Sequence, residues 1–169
     1  MTSELRVDKI IPVDGVPSDS GSNPLYRGAG GVVQVVYAQT RTQQSTTSTS
    51  YIDATGLFVD ITPKFSTSKM LISVHTVGQV NGGRGRFDVH KSTTNSRLSG
   101  HPSDDGTNHS ISAFEHENYN HVVHFTIMDI AGTTSNIRYK VQFNNANGNT
   151  TFINASNNVG SLTVMEISS

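Results

Sequence analysis

Residues 136–153 read NIRYKVQFNNANGNTTFI. The first half of this stretch alternates strictly, and the apolar positions are Ile137, Tyr139, Val141 and Phe143. Such alternation places one side of a β-strand in a core and the other in solvent. The Asn147-Gly148 step that follows predicts a hairpin turn into a second strand over residues 150–153. We therefore expect antiparallel β-structure.

Strand candidates of the same kind fill the rest of residues 30–169. The alternating apolar positions include Met70, Ile72, Val74, Phe87, Val89, Val123, Phe125 and Ile127. The chain holds 21 Ser, 19 Thr and 14 Asn, which favour turns and short strands over helices. No segment with a helical period is long enough for a βαβ crossover. The pattern predicts an all-β domain over residues 30–169, an antiparallel β-sandwich of the jelly-roll type.

The first 29 residues differ from this pattern. Four apolar residues stand in a short strand-like segment, namely Leu5, Val7, Ile10 and Ile11. Proline, glycine and serine follow, and such a segment cannot bury enough apolar surface to fold alone. We interpret residues 1–29 as an extended attachment arm and linker that orders on a partner. A displaced edge strand of the main domain is the alternative.

The charge and composition argue against several classes of partner. The formal net charge is −1, and Lys and Arg are scattered singly, which disfavours binding of nucleic acid by charge. The absence of Cys excludes disulfides and thiolate metal sites. No apolar run approaches the roughly 20 residues that span a bilayer, and the N-terminus does not resemble a signal peptide. We expect no nucleic-acid partner and no membrane insertion.

Catalytic motifs are missing from the sequence. It has no Gly-x-Ser-x-Gly elbow, and Asp104-Asp105-Gly106 lacks the alternating acids and the distal Glu of a calcium loop. Glu115 and Glu117 flank a histidine without a second acid pair nearby. We therefore predict a protein that is not an enzyme and needs no cofactor.

Histidines are the most tempting candidates for a metal site. His121 and His124 are an odd number of residues apart, so on one strand their side chains leave opposite faces of the sheet. They cannot hold one ion together without a bulge, and a metal site would require one of them to lie on a three-fold axis where three copies converge. We favour hydrogen-bonded or exposed histidines and assign no metal.

Two polar segments predict exposed loops. Residues 82–86 suggest the tip of a hairpin, and residues 92–108 suggest a long surface loop, a feature that is usually functional or mobile. The candidate recognition residues in and near these segments are Arg84, Arg86, Asp104, Asp105 and Tyr119.

One resemblance covers most of the chain. It rests on residues 5–10, 31–36, 46–53, 55–63, 66–72, 138–154 and 162–167. In order and content these segments resemble a module common in tail-fibre-like and other virion proteins of tailed bacteriophages. Residues 82–120 show no such match.

The resemblance implies a non-enzymatic structural protein of the virion, assembled in the host cytoplasm and usually a homotrimer. Its partners would be other copies of itself and either the major capsid protein or tail proteins. We favour a capsid decoration (cement) protein, because the chain is short and has no shaft repeats. The alternative is a tail-fibre or receptor-binding tip that contacts a host glycan or receptor. A carbohydrate-binding or carbohydrate-cleaving module is disfavoured, because the chain has no Trp and only 5 Tyr.

Overall fold

The computed structural model describes residues 30–98, 110–115 and 118–169. Within these ranges the chain forms eleven β-strands and a 3₁₀ turn at Ala155–Asn157. The strands are β1 (Val32–Thr40), β2 (Gln44–Thr46), β3 (Ile52–Ile61), β4 (Lys69–Asn81), β5 (Gly85–Lys91), β6 (Ser96–Arg97), β7 (Ser112–Phe114), β8 (Asn120–Ile130), β9 (Ile137–Asn145), β10 (Thr150–Ile153) and β11 (Gly160–Ile167). All pairings are antiparallel and form two sheets, so the predicted all-β sandwich is confirmed.

Some sequence predictions concern residues outside the described ranges. These are the arm residues Leu5, Val7, Ile10 and Ile11 and the loop acids Asp104 and Asp105. The boundary between the arm and the domain, and the homotrimer, stay predictions.

The first sheet is built around β4, which has 13 residues. Strand β8 lies along one edge of β4, and β11 and β10 follow each other along the opposite edge. Strand β1 pairs with β11, and β2 pairs with β10. The side-by-side order of the long strands is therefore β1, β11, β4 and β8.

The second sheet has β9 between β3 and β5. The short strands β6 and β7 pair with β5 along its other edge. The sheets face each other, and the predicted inward side chains form the core. Ile137, Tyr139, Val141 and Phe143 are fully buried, as are Met70, Ile72 and Val74 from the first sheet. Alternation thus predicted the core-facing residues correctly.

The chain crosses repeatedly between the sheets. Strand β3 lies in the second sheet, β4 in the first and β5 in the second again. In the same way, β9 lies in the second sheet and β10 in the first. The hairpin that we predicted at Asn147-Gly148 is therefore wrong, because β9 and β10 lie in different sheets. The predicted hairpin tip at residues 82–86 is wrong for the same reason, since β4 and β5 do not pair. This alternation gives the sandwich its jelly-roll-like path.

The two ends of strand β4 mark opposite ends of the sandwich. At its start Lys69 lies opposite Ile167, and the backbone N–H of Gly30 donates to the carbonyl oxygen of Ser168 over 2.9 Å. Gly30, the first described residue, therefore lies at this end. The connection to β5 lies at the other end of β4, roughly 40 Å away for 13 extended residues.

Candidate functional site

The end of the body farthest from Gly30 carries two of the predicted recognition residues. Arg84 lies in the exposed connection between β4 and β5, and its Nε is 2.7 Å from Oε1 of Glu115. Tyr119 precedes β8 and is 70% exposed. Both side chains are accessible, and their role in recognition stays a prediction. An exposed ion pair of this kind contributes little stability, so Arg84 and Glu115 are available to a partner.

Asn145 fixes the geometry of this end. Its buried side chain donates from Nδ2 to the carbonyl oxygen of Gly82 and to Oγ1 of Thr151, each over 3.1 Å. Its Oδ1 accepts from the backbone N–H of Asn147 over 3.0 Å and of Asn149 over 3.1 Å. One amide thus joins two of the connections that cross between the sheets, the one between β4 and β5 and the one between β9 and β10. The Asn-Gly step serves this crossing and not a hairpin.

Arg86 is not where the sequence placed it. It lies on β5, is only 7% exposed and faces the outer side of the second sheet together with Asp88. The segment before β3 passes over this side, because Nδ2 of Asn144 donates to the carbonyl oxygen of Thr49 over 2.6 Å. The prediction of an exposed loop at Arg86 is therefore wrong, because the segment before β3 covers this part of the sheet and excludes solvent from it.

Tyr51 and Arg97 complete a polar cluster around Arg86 and Asp88. The guanidinium carbon of Arg97 lies 4.1 Å from the centre of the Tyr51 ring. Burial, followed by the charge of Asp88, raises the pKa of Tyr51 to about 12, against the opposing charges of Arg97 and Arg86. The phenol therefore stays protonated at neutral pH. Sequence reasoning missed this cluster because nothing in the spacing of its members indicates that they meet.

The two histidines considered for a metal leave β8 on opposite faces, as predicted. The His121 ring is half-buried and lies 4.7 Å from the ring of Phe114, centre to centre. His124 is exposed, and its ring centre is 6.2 Å from that of His75 on β4. The described part of the chain contains no group of three or more His, Cys, Asp or Glu that could hold a metal ion. A place for either histidine on a three-fold axis stays a prediction.

A buried ion pair near the Gly30 end is fully engaged within the protein. Nζ of Lys91 lies 2.8 Å from Oδ2 of Asp129 and donates to the carbonyl oxygens of Ile130 and Ala131. The hydroxyl of Tyr139 donates to the same carboxylate oxygen over 2.7 Å, and burial followed by this hydrogen bond raises the pKa of Tyr139. An ammonium group has three protons, and all three have acceptors here. The geometry suits a structural clamp better than a nucleophile or a general base.

Glu166 is a second buried acid with a complete set of donors. Its carboxylate accepts from the backbone N–H groups of Lys64 and Phe65, from Oγ of Ser68 and from Nε2 of Gln34. These bonds tie the segment after β3 to β11 and β1. A buried carboxylate satisfied in this way holds chain segments together.

The outer faces of the two sheets differ strongly. On the second sheet, Arg138 makes a two-point ion pair with Asp60, and Lys140 pairs with Asp53 over 2.8 Å. On the first sheet, six of the nine large exposed hydrophobic side chains of the described residues share one face. They are Val32, Val35, Tyr37, Val122, Met128 and Ile130. This face, which we call the apolar face, is the most conspicuous surface of the body.

Comparisons with known proteins gave structural similarities only. No known protein family matches the chain, and no curated protein does. The structure is similar to that of the VP2 subviral particle of infectious bursal disease virus, with a TM-score of 0.36 and 12% sequence identity. The match covers 82% of this chain and 38% of the VP2 chain. The Gx strain of the same virus gives a TM-score of 0.35 and 10% identity, over 98% of this chain and 42% of the other. The chain thus spans about two fifths of each of those chains.

No helix in the described residues has the length and apolar character needed to cross a membrane.

Proposed function

We propose that this chain is a non-enzymatic structural component of a virus particle, held in a larger assembly by residues 1–29. The observation that carries the proposal is the apolar face of the first sheet. Six large exposed hydrophobic side chains lie on this one face, and a group of exposed apolar side chains of this kind usually marks a contact with another protein. The resemblance of the sequence to tailed-phage virion proteins supplies the class of assembly.

The arrangement of the two ends supports a component that is anchored at one end. Gly30, which follows residues 1–29 in the chain, lies beside Ser168, whereas Arg84 and Tyr119 lie at the far end of β4. A part fixed by its arm would therefore present Arg84 and Tyr119 away from the attachment point. Lys91 and Glu166 are committed to internal bonds, which agrees with a role that needs a rigid body and no chemistry.

Within this class we favour a capsid decoration protein. The body is short and compact, and the described residues form strands of 13 residues or fewer with no repeated shaft element. A receptor-binding tail tip is the second candidate, and the exposed Tyr119 at the end remote from the arm is the observation that favours it. A tip needs accessible side chains at that end, while a cement protein needs only the arm and its contacts with neighbours.

The test uses purified particles of the virus that encodes the chain. Gold-labelled antibody against the protein should bind the particles, on the head for a decoration protein and on the tail for a tip. Deletion of residues 2–23 should leave the sandwich folded by circular dichroism and abolish incorporation into particles. Tyr119→Ala is the matched control, because it alters the opposite end and should leave incorporation unchanged.

The same Tyr119→Ala particles separate the two roles. Reduced adsorption to host cells with normal incorporation would support the tip, and unchanged adsorption would support decoration. Absence of the protein from purified particles would refute the proposed function.

A further inference from the structure

We propose that His75 and His124 form a metal-binding site on the outward side of the first sheet, where each chain holds one late first-row divalent ion of the Cu²⁺, Ni²⁺ or Zn²⁺ kind. This inference is independent of the proposed function, which uses neither side chain. The sequence analysis weighed His124 together with His121 on the same strand, whereas the structure brings His124 to a histidine on a different strand.

The two histidines lie directly opposite each other on neighbouring strands. His75 is on β4, His124 is on β8, and the register of the two strands makes them partners. Directly opposed residues point to the same side of a sheet, with Cβ atoms about 4.5–5.5 Å apart. Both side chains are exposed, and their ring centres are 6.2 Å apart with an angle of 51° between the rings. Two imidazoles therefore stand side by side on one surface.

The distance between the rings suits two imidazoles that bind one ion. A Zn–N bond of about 2.0–2.1 Å and a ring radius of about 1.2 Å place each ring centre about 3.2 Å from the metal. Around a tetrahedral ion, two such ring centres are about 5 Å apart. The observed 6.2 Å is thus about 1 Å longer than the distance in a chelate. Exposed side chains change rotamer rapidly, so rotation of the two rings can close this difference.

The ring nitrogens are not engaged in holding the fold together. Within the part of the chain that the structure describes, neither ring has a hydrogen bond or an ion pair, and the two rings contact each other. In the adjacent row of the same two strands, the hydroxyl of Thr126 donates to Oγ of Ser73 over 3.3 Å, so those polar side chains satisfy each other. Binding of an ion to the histidines would therefore break no bond of the fold.

The charge of the surrounding surface permits a cation at this place. Lys69 is the one residue with a full charge among the described positions on the outward side of β1, β11, β4 and β8. It lies six residues before His75 on β4, or roughly 20 Å away along an extended strand. At physiological ionic strength the Debye length is about 8 Å, so the charge of Lys69 is screened at the histidines.

The chemistry of the two ligands determines which ions the site takes. Imidazole nitrogen suits copper, nickel and zinc, whereas Mg²⁺ and Ca²⁺ prefer oxygen ligands. Affinity for a nitrogen site generally rises from Ni²⁺ to Cu²⁺ and is lower again for Zn²⁺. The described residues contain no group of three or more potential ligands, so water would complete the coordination of the ion. We therefore expect an exposed site with two protein ligands that binds Cu²⁺ most tightly.

An ion held by both rings would tie β8 to β4. Among the described residues β8 pairs with β4 alone, so β8 is an outer strand of its sheet. The two histidines are far apart in the sequence, and the unfolded chain does not hold them in register. An ion that binds only the folded chain raises the ratio of folded to unfolded protein about 100-fold at a concentration of 100 times its Kd. The site should therefore stabilise the sandwich when it is loaded.

The first experiment titrates the full-length chain with Cu²⁺ and with Zn²⁺ by isothermal titration calorimetry at neutral pH. We expect one ion per chain, tighter binding of Cu²⁺ than of Zn²⁺, and no binding of Mg²⁺ or Ca²⁺. His75→Gln and His124→Gln should each weaken binding at least about tenfold, because even the loss of a group behind a metal ligand typically costs 10–100-fold. Both positions are exposed, so both variants should stay folded by circular dichroism. His101→Gln is the matched control and should leave the affinity unchanged.

Urea unfolding with and without Zn²⁺ tests whether the folded chain holds the ion. The urea midpoint of the wild type and of His101→Gln should rise with the Zn²⁺ concentration, and that of His75→Gln and of His124→Gln should not. A wild-type midpoint that Zn²⁺ leaves unchanged or lowers would overturn the inference. So would an affinity for Cu²⁺ weaker than about 1 mM, or binding that survives both variants. One ion for every two or three chains would place the ligands on different copies and would also overturn it.

Discussion

Replacement of Asn145 by Ala should destabilise the sandwich by about 3 kcal/mol, since four hydrogen bonds at about 0.5–1.5 kcal/mol each are lost. The side chain is fully buried and makes these bonds over 3.0–3.1 Å. Thr151 is also fully buried, so its hydroxyl would lose Asn145 as a partner without access to water. The N–H groups of Asn147 and Asn149 belong to exposed residues and can be hydrated, so we place the loss in the lower half of the range of about 2–6 kcal/mol.

Urea unfolding at neutral pH, followed by circular dichroism, measures this loss. The dependence of the unfolding free energy on urea should be unchanged, because the same surface is exposed on unfolding. Asn147→Ala is the control, because this exposed residue accepts a single bond from the N–H of Arg84 and should cost less than about 1 kcal/mol. A cost below about 1 kcal/mol for Asn145→Ala as well would refute the view that this amide joins the two crossing connections.

Two further predictions concern the core and its titration. Phe125→Asp should abolish folding, because the side chain is only 8% exposed and points into the core. Thr126→Asp is the control, because this residue lies on the outward side of β8. Circular dichroism should show that the control variant stays folded. A folded Phe125→Asp protein would contradict the assignment of faces on β8. Burial raises the pKa of Tyr51 to about 12 and also raises the pKa of Tyr139, whereas the unfolded chain releases these protons near pH 10. The unfolding free energy should therefore be at its full value below pH 10 and fall above it, by up to about 1.4 kcal/mol per pH unit for each tyrosine. Urea unfolding at pH 9, 10 and 11 measures this fall. A constant unfolding free energy over these three pH values would contradict the predicted sign.

The core-facing residues could be predicted from the sequence, while the strand pairing could not. Alternation is a local property, so Ile137 to Phe143 and Met70 to Val74 were assigned to the correct side without knowledge of their neighbours. The Asn147-Gly148 step is also local, but a turn of this kind serves a hairpin only when both flanking strands join one sheet. Here the buried amide of Asn145 directs the chain into the other sheet.

The buried polar cluster on the second sheet could not be predicted from the sequence, for a related reason. Arg86 and Asp88 occupy the polar side of an alternating strand, which predicts exposure to solvent. Their burial depends on Tyr51 and Arg97. Tyr51 lies far from β5 in the sequence, and Arg97 is separated from β5 by a turn. The burial of a polar face depends on the tertiary arrangement, so the spacing of residues within β5 does not indicate it.

The apolar face lies between these two cases. Strand β8 has Val123 and Phe125 on one side, and its other side mixes Val122 and Met128 with His124 and Thr126. A strand that needed only one core would have polar residues on its second side. The sequence alone cannot tell whether another part of the same chain or a different molecule covers the second surface. The two outer strands of the sheet leave Tyr37 and Val122 exposed among the described residues, and this exposure makes a second molecule the more economical explanation.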